Sequence, residues 1–143
     1  MILYLDTSAF LKLYLDETGS RPVREFVAGA AAIYTHLITY AEMRAALARA
    51  VRMGRMSEAD ARYQISRFED DWLGLAVIDV EDALVRRAGR LAEQHGLRGY
   101  DSVHAAAAER IFENIPGGSD FGIAAFDNEL RGAVESLGMK VLG

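Results

Sequence analysis

Four acidic residues carry the chemistry for which this sequence is best suited: Asp6, Glu42, Asp101 and Asp127. They are spread over almost the whole chain, so they meet only if a fold brings them together. A calcium loop would instead cluster its ligands within about a dozen residues. Were the four to converge, the repulsion of unpaired carboxylates would be costly and would raise some of their pKa values. A divalent cation relieves that repulsion. Mg²⁺ and Mn²⁺ prefer hard oxygen ligands and keep several waters for substrate phosphates or a nucleophile. Such an ion lowers the pKa of a bound water and neutralises charge that builds on a phosphodiester. Each acid also has a plainer reading. Asp6 fits an Asx-turn or cap helped by Thr7 and Ser8. Thr39-x-x-Glu42 fits a capping box in which Glu42 returns a hydrogen bond to the Thr39 backbone. Asp101 and Asp127 are good N-cap types, and acids in a first turn suit the helix dipole. Taken singly, capping accounts for each acid; taken together, they point to a shared site.

The elements that must position these acids follow from periodicity. Strand-length apolar runs lie at Ile2–Leu5, Ala32–His36, Leu75–Ile78, Gly122–Phe126 and Met139–Leu142. The first, third and fourth are apolar on both faces, which predicts strands covered on both sides. Helical stripes alternate with them. Tyr40, Met43, Leu47, Ala50 and Val51 form one, and Leu84, Ala88, Leu91 and His95 another. Further helices are predicted over Ala9–Leu15, Arg21–Ala28, Glu58–Trp72, Ser102–Glu113 and Glu129–Leu137. Strands alternating with helices give an α/β fold, a parallel three-layer sheet joined by right-handed crossovers. In such sheets the ligand site lies beyond the carboxyl ends of the strands, at the switch point. Asp6 follows the first strand, Glu42 opens the helix after the second, and Asp127 follows the fourth. Asp101 opens the helix that precedes the fourth strand.

Composition narrows the function classes. Residues 1–143 read as one domain, with 51% hydrophobic and 26% charged residues. The 16 basic residues against 21 acidic ones leave a net charge of −5, which argues against a nonspecific polybasic binder. Zero cysteines exclude a disulfide scaffold, a thiolate zinc site and a cysteine nucleophile. Asp6 interrupts the apolar start after four residues, so neither a signal peptide nor a membrane partner is expected, and a cytoplasmic location is. The densest turn signal is Pro116-Gly117-Gly118-Ser119-Asp120. A response-regulator receiver would need an acidic pair at the first strand end, where this chain has Asp6-Thr7-Ser8, and a lysine at the last. A dehalogenase-like phosphatase needs an aspartate at position 8, which is serine. No Walker sequence or Gly-x-Ser-x-Gly elbow occurs.

At these residues the chain resembles the PIN-domain family, and within it the VapC-type toxins of bacterial and archaeal toxin–antitoxin pairs. The matching motifs run in order: Ile2-Leu3-Tyr4-Leu5-Asp6-Thr7-Ser8, then Thr39-Tyr40-Ala41-Glu42. Gly96-Leu97-Arg98-Gly99-Tyr100-Asp101-Ser102-Val103-His104-Ala105-Ala106 follows, then Ala125-Phe126-Asp127-Asn128-Glu129-Leu130. The resemblance implies a three-layer α/β/α sandwich with a five-stranded parallel sheet. It also implies a Mg²⁺- or Mn²⁺-dependent endoribonuclease, a homodimer, and a cognate antitoxin as partner. Carried over residue by residue, Asp6 and Asp101 would be metal ligands. Glu42 would ligate or hold a metal-bound water, and Asp127 would complete the cluster or position a second metal. Thr7, Ser8 and Asn128 fall where the family places supporting hydrogen bonds. The mechanism so implied is in-line hydrolysis of an RNA phosphodiester, leaving a 5′-phosphate and a 3′-hydroxyl. The alternative is a PIN-like module that binds RNA or protein without cleaving; loss of acids would mark it, and all four are present.

Several other residues carry competing readings. Of the basic residues only Lys12 and Lys140 are lysine, and arginine suits bidentate phosphate contacts. Arg98, three residues before Asp101, is the best-placed candidate, followed by Arg44 and Arg131, although a solvated arginine explains each. His36, His95 and His104 lack zinc spacing. His104, one helical turn after Asp101, reads first as a satisfied interior histidine and second as a hydrogen-bonding neighbour of the site. Trp72 and the tyrosines read as core or interface, and Asp79 as a helix cap. The Met53-Gly54-Arg55-Met56-Ser57 hairpin, with two methionines free to be exposed, is a candidate dimer or antitoxin contact.

Overall fold

The computed structural model describes residues 1–117 and 120–143, so the predicted turn lies partly, at Gly118 and Ser119, outside the described residues. Five strands form one parallel sheet: β1 (Ile2–Leu5), β2 (Ala32–His36), β3 (Ala76–Ile78), β4 (Phe121–Ala124) and β5 (Lys140–Leu142). Their order is β3-β2-β1-β4-β5. β1 is central, with Leu3 in register with Ile33 on one side and Gly122 on the other. The chain builds outward from β1 to β3, then returns across β1 to lay down β4 and β5. That reversal opens a crevice at the carboxyl ends of β1 and β4. The predicted parallel sheet and its five strands are all present.

The period-two alternation of a strand sorts β1 between two cores. Leu3 and Leu5 face the helices α1 (Thr7–Leu11), α2 (Ser20–Gly29), α3 (Ile38–Arg52) and α4 (Glu58–Trp72). Tyr4 faces α5 (Asp82–His95), α6 (Gly99–Glu113) and α7 (Asn128–Ser136). The first layer is rich in aromatics. Phe68 is fully buried and its ring stands edge-on to Phe10 and Tyr14. Tyr40 and Trp72 extend the cluster, so the core reading of these aromatics holds. On the other side α5 and α6 are joined by a two-pronged pair, Arg87 donating to Glu109 at 2.6 and 2.7 Å. β4 packs tightly enough that a Cβ on Gly122 would come within 2.7 Å of Leu142 Cδ1.

Five local expectations are corrected. β3 is an edge strand and only half-buried, so its unbroken apolar run does not signify cover on both faces. α3 begins at Ile38, which places Thr39 inside the helix rather than at its cap. Thr39 bonds Thr35, whose own hydroxyl partner is the Leu5 carbonyl, while His36 Nδ1 accepts from the Ile38 amide. The capping box is therefore not formed, and Glu42 is left for other work. α6 begins three residues before the predicted Ser102, with Asp101 already in its first turn. Asp79 caps nothing at the start of α5, because Glu81 holds the N-cap position there. Of the hairpin methionines Met53 is exposed, whereas Met56 packs on the first core.

Candidate active site

Asp6 sits at the end of central β1 because the chain must leave the sheet there and enter α1. Its Oδ1 accepts from the Ala9 amide at 2.8 Å, which caps the helix. The capping reading and the site reading are thus both true of one carboxylate. The Ser8 hydroxyl donates to both carboxylate oxygens, at 2.7 and 2.8 Å, and accepts from the Phe126 amide. Ser8 therefore ties the end of β1 to the segment after β4. Asp6 is only 3% exposed. Burial pushes its pKa up, as does the nearby charge of Asp101, while His104, the Ala9 amide and Ser8 pull it down. The net shift is upward. Among the described residues no lysine or arginine lies within ion-pair distance of this carboxylate, and His104 contacts Glu42 rather than Asp6.

Glu42, one turn into α3, is fixed from one side. Thr7 donates to its Oε1 at 2.6 Å, and His104 Nε2 lies 2.8 Å from the same oxygen. Burial raises the Glu42 pKa, but the bonds from His104 and Thr7 outweigh it and leave the group below its ordinary value. An ionised Glu42 can only accept, so Nε2 of His104 carries the proton. Nδ1 of a neutral ring then accepts from the Tyr4 hydroxyl, 2.9 Å away. Tyr4 and His104 are both buried to within about 1%. The chain Tyr4–His104–Glu42 therefore runs from the second core to the crevice. His104 is a satisfied interior histidine and a neighbour of the site at once.

Asp101 and Asp127 meet through Arg98. The Arg98 Nε donates to Asp101 Oδ2 at 3.1 Å, and its Nη2 lies 3.5 Å from Asp127 Oδ2. The bond to Asp101 raises the Arg98 pKa further. Asp127 uses its other oxygen to cap α7, accepting from the Leu130 amide at 3.0 Å. All four acids border one open cavity of about 1000 Å³, together with Thr7, Ser8, Arg98 and His104.

A hard divalent cation suits this donor set. Protein donors fix each acid mainly through one oxygen. Among the described residues Glu42 Oε2 and Asp101 Oδ1 have no protein partner, and Asp127 Oδ2 meets only Arg98. Asp6 Oδ2 meets only the forked Ser8 hydroxyl. As the side chains stand, no three His, Asp or Glu groups of the described residues are drawn together closely enough to hold an ion. Arg98 stands between two of them as a counter-charge instead. It is 76% exposed and anchored only by these contacts, so it can leave.

The remaining candidates divide. Asn128 is exposed at the first position of α7 and, among the described residues, makes no side-chain bond to the acids. Arg131 donates to the Ala125 carbonyl at 2.7 Å, and Arg44 to Tyr40 and Glu69, so both are spent on structure. Two residues were missed by sequence reasoning. Tyr4 is the one polar-tipped residue in an aliphatic strand, and that was a usable signal. Tyr100 lines the cavity mouth while 64% exposed; nothing in its spacing marked it.

Comparison with known proteins bears on the family and the fold. The profile described as PIN domain matches residues 3–131. Ribonuclease VapC45 and ribonuclease VapC49, both of Mycobacterium tuberculosis, are each 32% identical over 140 residues. Those alignments cover 98% of this chain and 94% of the relatives. Among solved structures, Mycobacterium tuberculosis VapC20, titled a sarcin-ricin loop cleaving toxin, superposes with a TM-score of 0.67 at 17% identity, covering 92% of this chain and 94% of that one. A FitAcB structure from Neisseria gonorrhoeae superposes at 0.64 with 20% identity, covering 100% and 97%. With the family profile over residues 3–131 and relatives 32% identical over 98% of its length, this chain belongs to the PIN-domain family and, within it, to the VapC type.

Proposed function

We propose that the chain is the toxin of a type II toxin–antitoxin pair, an endoribonuclease that hydrolyses RNA phosphodiesters with the help of Mg²⁺ or Mn²⁺. The observation that carries this reading is the opening of Asp6, Glu42, Asp101 and Asp127 onto one cavity, with Asp6 desolvated and short of a cation. Asp6 and Asp101 would hold the ion, with Glu42 and Asp127 completing its shell. When bound, the ion supplies a water of lowered pKa and neutralises charge on the phosphodiester oxygen. The net reaction adds water at phosphorus and breaks the bond to the 3′ oxygen, which leaves as a hydroxyl.

The chain's own residues prepare that chemistry. Ser8 and the Ala9 amide hold the Asp6 carboxylate in one orientation. Thr7 and His104 hold Glu42 by Oε1, which keeps Oε2 turned to the cavity and ionised at neutral pH. Arg98 occupies the acids' side of the cavity before an ion does, and once displaced its guanidinium is free for a substrate phosphate. Partners in this reading are an RNA substrate, a cognate antitoxin and a second copy of the chain. The solved relatives include complexes titled VapBC bound to DNA, which supports an antitoxin partner. Among the described residues no helix is long and apolar enough to cross a membrane.

Incubation with total RNA tests the proposal, comparing added Mg²⁺ or Mn²⁺, chelator, and Asp6→Asn. Fragments with 5′-phosphates are expected only with the divalent ion and the unaltered chain. Cleavage that persists in both chelator and Asp6→Asn would sink the mechanism.

A further inference from the structure

Glu42 is the first charged member of a stripe that continues along α3. Ala45, Ala46, Arg49 and Arg52 follow it at helical spacing and line the same cavity as the four acids. At 1.5 Å per residue, Arg49 and Arg52 stand about 10 and 15 Å from Glu42 along the axis. The alanines between leave the floor low and smooth. Of the three arginines that line this cavity, Arg98 is held by the acids and these two are not. Arg44 on the same helix is paired with Glu69, Arg55 with Glu17, Arg87 with Glu109 and Arg98 with Asp101. Among the described residues neither Arg49 nor Arg52 has a carboxylate within ion-pair distance, and both are exposed. Their place in the last turn suits the helix dipole. The dipole explains arginine at that end of α3; it does not explain why both line the acidic cavity.

We propose that the α3 stripe from Glu42 to Arg52 is the track for the RNA strand beside the cleaved bond, with Arg49 and Arg52 each taking a backbone phosphate. The inference rests on the ribonuclease reading and adds where the substrate lies. It also addresses how a chain of net charge −5 holds a polyanion: the cation is local, uncompensated and aligned with the site.

The test uses the full chain carrying Asp6→Asn, to silence cleavage, and a fluorescent single-stranded RNA. Binding is read by anisotropy over a NaCl series with Mg²⁺ held constant. Each lost phosphate contact lowers the slope of log K against log salt by about 0.7 for single strands. Adding Arg49→Ala and Arg52→Ala is expected to flatten the slope by about 1.4 and weaken binding about 25-fold at 0.1 M salt. Arg49→Lys with Arg52→Lys should keep the slope, since the charges remain. Alanine is the best helix former, so α3 survives the change, and an unchanged far-ultraviolet dichroism checks this. An unchanged salt slope in the alanine variant overturns the track even where the unaltered chain cleaves RNA. Arginine-dependent binding of an acidic peptide, without an effect on RNA, overturns it too and assigns the stripe to a protein. Failure of the unaltered chain to cleave RNA with a divalent ion is a separate result, which strikes the ribonuclease reading itself.

Discussion

Tyr4→Phe isolates the contribution of one buried hydroxyl to the site. The substitution keeps the ring and its edge-on contact with His104, whose centroid is 6.0 Å away. It removes only the donor to His104 Nδ1. A net hydrogen bond is worth about 1 kcal/mol, and a buried acceptor left unpaired raises the cost to about 1–3 kcal/mol. Both residues are almost wholly buried, so water does not replace the donor without opening the core. For 143 residues the unfolding entropy is about 0.3 kcal/mol per kelvin, and the melting temperature should fall by about 3–10 °C. The functional consequence follows from how the His104 ring is held. With Tyr4 present, Nδ1 accepts and Nε2 donates to Glu42. Without it Glu42 still keeps the proton on Nε2, but Nδ1 loses the partner that fixes the ring, and the hold on Glu42 Oε1 weakens. RNA cleavage should drop by about tenfold in kcat, corresponding to about 1.4 kcal/mol, with little change in KM. Long-range nitrogen–proton correlation spectra of the His104 ring should show the Nε2-protonated tautomer in both chains, with the Nδ1 resonance shifted in the variant by the lost hydrogen bond. A variant within 1 °C of the native chain, with unaltered turnover and the same ring spectrum, would refute the reasoning.

Two further outcomes test the electrostatics. Arg98→Ala should let Mn²⁺ bind roughly two- to fivefold more tightly by calorimetry, the range expected on removing an exposed ion pair, while the KM for RNA rises because a phosphate contact is lost. Glu17 concerns acid stability: burial pushes its carboxyl up, but Lys12 and Arg55 outweigh that, so it lies below its ordinary value in the fold. A carboxylate with a lowered folded pKa stabilises above its unfolded pKa and loses that contribution as pH falls through the folded one. Glu17→Gln should therefore cost about 1–2 kcal/mol near pH 7, by depriving buried Lys12 of its carboxylate and leaving it the Thr18 carbonyl. In denaturant titrations the gap from the native chain should close as pH drops below the ordinary glutamate range.

The capping interpretations show how far local reasoning reached. Asp6 and Asp127 do cap helices, and a side-chain oxygen three residues before an amide is legible from sequence alone. Thr39 and Glu42 matched a capping box equally well, yet α3 starts one residue before Thr39. His36 Nδ1 met the Ile38 amide and Thr35 engaged Thr39, so a tertiary competitor won. β3 shows the same limit. Its apolar run reads like β1, but only the strand order makes it an edge.

By itself the sequence determined the alternation of strands and helices, the parallel sheet, and the four acids at strand ends and helix starts. Those properties depend on period, residue type and order, all local along the chain. The tertiary structure decided which oxygen of each acid is spent, because that depends on partners far away in sequence. Tyr4 and His104 are 100 residues apart and Thr7 and Glu42 are 35 apart, and each pair meets through the fold. It also decided that Arg98 bridges two acids while, among the described residues, Arg49 and Arg52 have no carboxylate partner along the same cavity. The sequence marked Arg98 by its place three residues before Asp101 and gave no such mark to Arg49 or Arg52; side-chain packing and the Coulomb partners within reach set their roles.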